Sequence, residues 1–159
     1  DNQGSNNIVD YIGYDKRIYP VGRLDKDSEG LILLTNQGQL MDDILRSVNG
    51  HEKEYVVTVN KKLSKDFEKR MSQPMYIKEL DRFTRECTVK VTGDNSFNIV
   101  LTQGLNRQIR RMCQILGYKV VKLQRIRIMN ILLGDLQTGQ YRPVTRNEYD
   151  ELLSQLNRN

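Results

Sequence analysis

The sequence predicts an α+β domain with a largely antiparallel sheet, and three observations carry that prediction. Residues 53–60 (KEYVVTVN) are rich in β-branched side chains and alternate, which puts Tyr55, Val57 and Val59 on one strand face. Arg85 to Thr92 and Ser96 to Thr102 read as two further strands joined by Gly93-Asp94-Asn95, a hairpin. Segments with apolar residues at helical spacing lie around these strands. A chain of 159 residues, 38% hydrophobic and 28% charged, has the length and composition of one packed domain.

Taken in order, residues 1–7 (DNQGSNN) are polar and loose, and Ile8 to Gly13 reads as a short helix. Tyr14 to Glu29 is expected to be an irregular charged loop holding Pro20 and Gly22, followed by a short buried strand from Leu31 to Thr35. Gln39 to Ser47 reads as a helix whose stripe is Leu40, Met41, Ile44 and Leu45. Ser64 is the expected N-cap of a helix over Lys65 to Met71. Asn106 to Leu116 is a helix closed by Gly117. Lys119 to Ile128 is extended, but its apolar phase moves from Val121 and Leu123 to Ile126 and Ile128, which implies a bulge near Gln124. In the last helix Thr145 and Glu148 form a capping box, Val144 and Tyr149 a staple, and Tyr149, Leu152, Leu153 and Leu156 the buried stripe.

Composition removes several classes of function. The longest apolar run has four residues, too few for a membrane span, and no basic-plus-apolar leader is visible. Cys87 and Cys113 are far apart without a CxxC, which excludes a zinc finger and points to a reducing cytoplasm. With His51 the single histidine, catalytic triads and di-histidine metal sites are not expected, and His51 receives no role.

The net charge of +5 is unevenly spread. Residues 95–134 contain no Asp or Glu but hold Arg107, Arg110, Arg111, Lys119, Lys122, Arg125 and Arg127. The remaining 18 basic residues face 20 acidic ones, so the whole basic excess lies in this segment. Such a patch fits a polyanion, most often nucleic acid, or else a solvated face. Seven phosphate contacts would limit the salt dependence of RNA binding to a log–log slope of about −5.

Three groups could carry chemistry. The loop YPVGRLDKDSEGL (Tyr19 to Leu31) sets Asp25, Asp27, Glu29 and Gly30 at EF-hand positions, but position 12 is Asn36, so calcium is not expected. In GLNRQIRRMCQILG, Leu105, Ile109, Met112 and Leu116 form the core face, so Arg107, Arg110 and Arg111 crowd the exposed first turns. Cations there oppose the helix dipole by about 0.3–1 kcal/mol each in the first turn, which calls for a carboxylate of the protein or a phosphate of a ligand. Tyr55 is either a core tyrosine or a stacking platform for a base.

In this order these segments resemble the RNA pseudouridine synthases of the RsuA/RluB/E/F type, nearest its F-type branch acting on large-subunit ribosomal RNA. The resemblance rests on YPVGRLDKDSEGLILLTNQGQL, HEKEYVVTV and LTQGLNRQIRRM, and continues through RIRIMNI and GQYRPVTRNE. It implies a pseudouridine synthase fold, with a mixed, mainly antiparallel sheet flanked by helices and a central active-site cleft. It also implies isomerisation of a specific uridine to pseudouridine without cofactor or metal. Asp25 is then the catalytic carboxylate, Tyr55 stacks on the target uracil, and Arg110 pairs with Asp25. RNA contacts fall to Arg23, Lys26, Asn106, Arg107, Arg111, Lys122, Arg125 and Arg127, with ribosomal RNA as partner, transfer RNA a further candidate, and a monomer expected. The family's Lys-Pro-x-Gly strand and S4-type domain are not in the sequence, so 1–159 reads as a catalytic fragment with one sheet edge incomplete. A non-catalytic RNA-binding domain is the competing reading.

Overall fold

The alternation around Tyr55 becomes the middle of a sheet. The computed structural model describes residues 17–46 and 50–156. The expected helix from Ile8 to Gly13 lies outside the described residues, as does Ser47. In chain order the elements are β1 (Tyr19–Val21), β2 (Glu29–Gly30), β3 (Leu33–Thr35), α1 (Gly38–Leu45), β4 (Lys53–Val59) and α2 (Phe67–Ser72). They continue with β5 (Tyr76–Ile77), a 3-10 turn (Lys78–Leu80), β6 (Arg82–Phe83), β7 (Thr88–Val91) and β8 (Ser96–Leu101). Then follow α3 (Gln108–Ile115), β9 (Val120–Ile128), β10 (Ile131–Leu132) and α4 (Arg146–Leu156).

The main sheet runs β10-β9-β4-β8-β7, with β2 added to β9. Every described pairing in it is antiparallel except β2 on β9, so the sheet is mixed and mainly antiparallel. β1 and β3 pair separately, as do β5 and β6. Among the described residues no helix is long and apolar enough to cross a membrane.

Two apolar clusters hold these elements. In the larger, Val57 and Val59 of β4, Phe97 and Ile99 of β8 and Leu123 of β9 meet Phe67 and Met71 of α2 and Ile109 and Met112 of α3. Phe67 packs 4.8 Å from the Phe97 ring and edge-on to Tyr118 at 5.2 Å. The smaller cluster joins Val21, Leu33 and Ile44 to Ile128, Ile131 and Leu152, tying the first strands to the C-terminal helix. Burial of side chains of this size contributes about 1.5–3 kcal/mol each.

Several local expectations change. The segment Tyr14 to Glu29 is not loop throughout: Pro20 sits inside β1, in a two-stranded pair where its missing N–H is tolerated. Ser64 does not cap α2, which begins after Asp66. Its N–H donates to the Tyr118 hydroxyl at 2.9 Å, and its own hydroxyl bonds Asp66 Oδ1 at 2.8 Å. The bulge expected near Gln124 is found two residues on, at Ile126, with a second at Val121, and Gln124 itself pairs Val56. The register slips on either side, between Glu54 and Tyr55 and between Thr58 and Val59, so Ile126 and Val121 are the extra residues. The two slips let Val120, Leu123, Arg125 and Ile128 all be buried, which a single bulge would not.

The capping box of α4 forms as expected. The Glu148 N–H donates to Thr145 Oγ1 at 3.1 Å and the Thr145 N–H to Glu148 Oε1 at 2.9 Å. Arg142 grips the same carboxylate with two hydrogen bonds of 2.8 Å. That guanidinium, with the Thr145 N–H, pulls the Glu148 carboxyl from 4.5 to about 2. A depressed carboxyl stabilises the fold above its unfolded value and loses that contribution as pH falls through the folded value. Thermal melts should therefore show the gap between wild type and Glu148→Gln closing between about pH 4.5 and about pH 2. A gap unchanged across that window would contradict the linkage.

Candidate active site

Asp25 lies in the turn between β1 and β2, half-buried, with its carbonyl accepting the Ser28 N–H at 2.9 Å. Its carboxylate makes no hydrogen bond or ion pair with any described residue. Arg23 and Lys26 beside it are exposed. The turn is fixed at its far end, where β2 pairs Glu29 with Gln124 and Gly30 with Arg125 in parallel. There the Leu31 N–H donates to the Arg125 carbonyl at 2.9 Å. Gly30 has φ +118°, and a Cβ on it would lie 2.2 Å from the Arg125 carbonyl oxygen. Only glycine allows this approach.

α3 supplies the clamp from some eighty residues away. Arg110 Nη2 donates to the Asp27 carbonyl at 2.7 Å, while its Nε is buried without an acceptor among the described residues. The expected direct pair between Arg110 and Asp25 is therefore not formed. The guanidinium grips the backbone two residues along, because the turn presents its carbonyl rather than its carboxylate. Arg107, left-handed at φ 50°, occupies the N-cap position without a side-chain capping bond and reaches Asp27 Oδ2 at 4.0 Å. Arg111 faces Glu79 at 3.7 Å and bonds the Asn106 carbonyl and Oδ1 at 2.9 Å each. Protein carboxylates thus meet two of the three arginines of this helix end, one of the two solutions open from sequence.

Tyr55 sits opposite Ile99 on β8 and Arg125 on β9, partly buried against the larger cluster. The row Ile99, Tyr55, Arg125, Gly30 thus carries Tyr55 to within two strands of the Asp25 turn. Such strands are about 4.8 Å apart.

Arg125 and Arg127 depart from their expected roles. Arg125 is 4% exposed and its Nε donates to the Leu31 carbonyl at 2.9 Å, so it braces the Asp25 segment from inside and is out of reach of an external phosphate. Arg127 is neutralised by Glu54 at 2.9 Å and Glu52 at 3.2 Å, on the polar face opposite the larger cluster. Asn106 and Lys122 are exposed.

Lys53 escaped the sequence reading. It lies two residues before Tyr55 on the same face, and burial together with the Arg125 charge lowers its pKa. No described carboxylate is bonded to either cation, and Arg125 Nη2 is buried without a hydrogen-bond partner among the described residues. Gln103 and Gln108 escaped it too. Buried Gln108 meets Gln103 at 3.4 Å, and Gln103 accepts the Arg85 N–H at 2.9 Å, locking the loop before α3. Gly30 carried a readable signal, an isolated glycine next to an apolar strand; the polar residues did not. A groove of about 570 Å³, lined by residues of α2 and β7 and their flanks, touches none of these residues.

Comparison with known proteins adds the following. The family model described as RNA pseudouridylate synthase matches residues 2–115. The dual-specificity RNA pseudouridine synthase RluF of Escherichia coli K12 is 51% identical over 146 residues, covering 92% of this chain and 50% of that protein. The ribosomal small subunit pseudouridine synthase A of Haemophilus influenzae is 30% identical over 138 residues, covering 86% and 60%. The chain thus spans about half the length of its curated relatives such as RluF. A crystal structure of a pseudouridylate synthase superposes with a TM-score of 0.84 at 30% identity, covering 89% of this chain and 64% of that one.

Proposed function

The chain belongs to the RNA pseudouridylate synthase family, and on that premise we propose that it isomerises a specific uridine of ribosomal RNA, in the large subunit, to pseudouridine. The observation that carries this reading is the grip of Arg110 on the Asp27 carbonyl at 2.7 Å, which fixes the Asp25 turn from a distant helix. No described residue bonds the Asp25 carboxylate, so it is available to a ribose.

The reaction breaks the N1–C1′ bond, turns the uracil, and joins C5 to C1′, with the C5 proton lost and N1 gaining one. An ionised Asp25 serves as nucleophile at C1′ or as base at C2′. The unused Arg110 Nε is a donor that stabilises the charged carboxylate once substrate draws the turn inward; catalytic hydrogen bonds are often long before substrate binds. Extruding the nucleotide costs about a few kcal/mol, offset by stacking on Tyr55 and by contacts to the base edge. Arg23, Lys26, Asn106, Arg107, Arg111 and Lys122 are the side chains proposed to meet the RNA.

The direct test is to incubate the chain with unmodified large-subunit ribosomal RNA and map pseudouridine by carbodiimide-dependent primer-extension stops. A new stop at one uridine is the expected result; no stop on that RNA or on transfer RNA would refute the reading. Salt dependence checks the binding side. With Arg125 buried and Arg127 doubly paired, the cations proposed to meet RNA are the five Arg23, Lys26, Arg107, Arg111 and Lys122, so the slope should be no steeper than about −3.5 on single-stranded RNA. A slope near about −4.2 would mean that Arg127 leaves its glutamates for phosphate.

A further inference from the structure

Two aromatic rings stand in solvent on one short hairpin. Phe83 is 66% exposed and Tyr76 45%, although both lie in paired strands rather than at a frayed end. They face each other across β5 and β6, ring centroids 5.1 Å apart, while Ile77 on the opposite face is fully buried. The alternation therefore turns this pair outward.

An isolated two-stranded hairpin is marginal in water, yet this one is held at several points. Met75 and Thr84 bond each other twice at its base, N–H to Oγ1 and N–H to carbonyl, both at 2.8 Å. The Phe83 carbonyl accepts from Gln103 Nε2 at 3.3 Å. Tyr76 donates its hydroxyl to Asp81, which turns the chain in the left-handed region at φ 49°. Glu79 pairs with Arg111 of α3 at 3.7 Å. The last contact and the Gln103–Gln108 bond attach the hairpin to the helix end that clamps the Asp25 turn.

We propose that Tyr76 and Phe83 form a stacking platform for an unpaired base of the RNA substrate, on the hairpin tied to the helix that grips the Asp25 turn and distinct from Tyr55. The inference rests on RNA being the substrate class, as proposed above. The two pre-ordered rings are inclined by 55°, and the exposed face of either accepts any base, since every base has a π-face, with little entropy lost on binding. Charge supports an RNA occupant over an apolar protein. Lys78 and Arg82 of the hairpin are exposed, while its acids are engaged, Glu79 with Arg111 and Asp81 with Tyr76.

The test compares wild type, Phe83→Leu and Phe83→Trp by fluorescence anisotropy with a labelled single-stranded oligouridylate and a labelled RNA duplex. Leucine keeps apolar bulk but lacks a π-face. Phe83→Leu should weaken oligouridylate binding by about tenfold, equivalent to about 1.4 kcal/mol, with Phe83→Trp restoring it and duplex binding little changed. Photocrosslinking of 5-iodouridine RNA should label Tyr76 or Phe83. The inference fails if Phe83→Leu binds as wild type, if wild type binds no RNA, or if the substitution lowers only the melting temperature or only self-association. Wild type that forms pseudouridine while Phe83→Leu binds normally would sink the platform and spare the enzyme. Dependence of binding on Phe83 without any pseudouridine formed would do the reverse.

Discussion

Asp25→Asn is expected to fold normally, bind RNA with affinity near that of the unsubstituted chain, and form pseudouridine at least about 10³-fold more slowly. The substitution keeps the shape of the side chain and removes only its charge and basicity. No described residue bonds the Asp25 carboxylate, so the change strands no partner and should cost little stability. The turn itself is held by other groups: Arg110 on the Asp27 carbonyl, the Ser28 N–H on the Asp25 carbonyl, and β2 on β9. Loss of rate with retained binding and an unchanged circular dichroism melt would therefore isolate the chemical step. A variant that modified RNA at near wild-type rate would remove Asp25 from the reaction and favour a domain that binds RNA without acting on it.

The largest expected stability effect lies five residues away. Gly30→Ala puts a Cβ 2.2 Å from the Arg125 carbonyl oxygen and 2.6 Å from its nitrogen, at φ +118°. Both obstructing atoms are backbone of the long strand β9, paired along its other edge to β4, so neither can yield as a side-chain end would. Relief requires β2 to leave β9, which breaks the Leu31-to-Arg125 hydrogen bond and the brace from Arg125 Nε to the Leu31 carbonyl. A loss of about 3–5 kcal/mol is expected, in the range reserved for severe steric and hydrogen-bond lesions. In urea unfolding the midpoint should drop sharply, and surviving folded protein should be inactive because the Asp25 turn is freed. Gly38→Ala is the control. Nothing lies within 4 Å of its Cβ position, so the change should be within about 1 kcal/mol. Equal midpoints for the two variants would show that the approach of β2 to β9 is not rigid.

Much of the fold was legible. Alternation in residues 53–59, the hairpin at Gly93-Asp94-Asn95, the glycine after α3 and the Thr145–Glu148 box all appear where the pattern put them. Each depends on side chains within a few positions of one another, and local stereochemistry acts at that range. The misreadings share the opposite property. Ser64 was claimed by Tyr118, 54 residues on; Pro20 was drawn into β1 by β3; and the second slip of β9, at Val121, was set by its pairing with β4.

The same division runs through the candidate site. The resemblance is what singles out Asp25, Tyr55 and Arg110 as a candidate set, and the charge count locates the basic excess in one acid-free segment. Which of those cations face solvent was decided by packing. Arg125 is enclosed and spends its charge on the Leu31 carbonyl, and Arg127 is met by two glutamates from β4 and the residue before it. A charge count knows nothing of desolvation. Burial is a property of the neighbours that a fold supplies, so an arginine acts as brace, partner or phosphate contact according to what surrounds it.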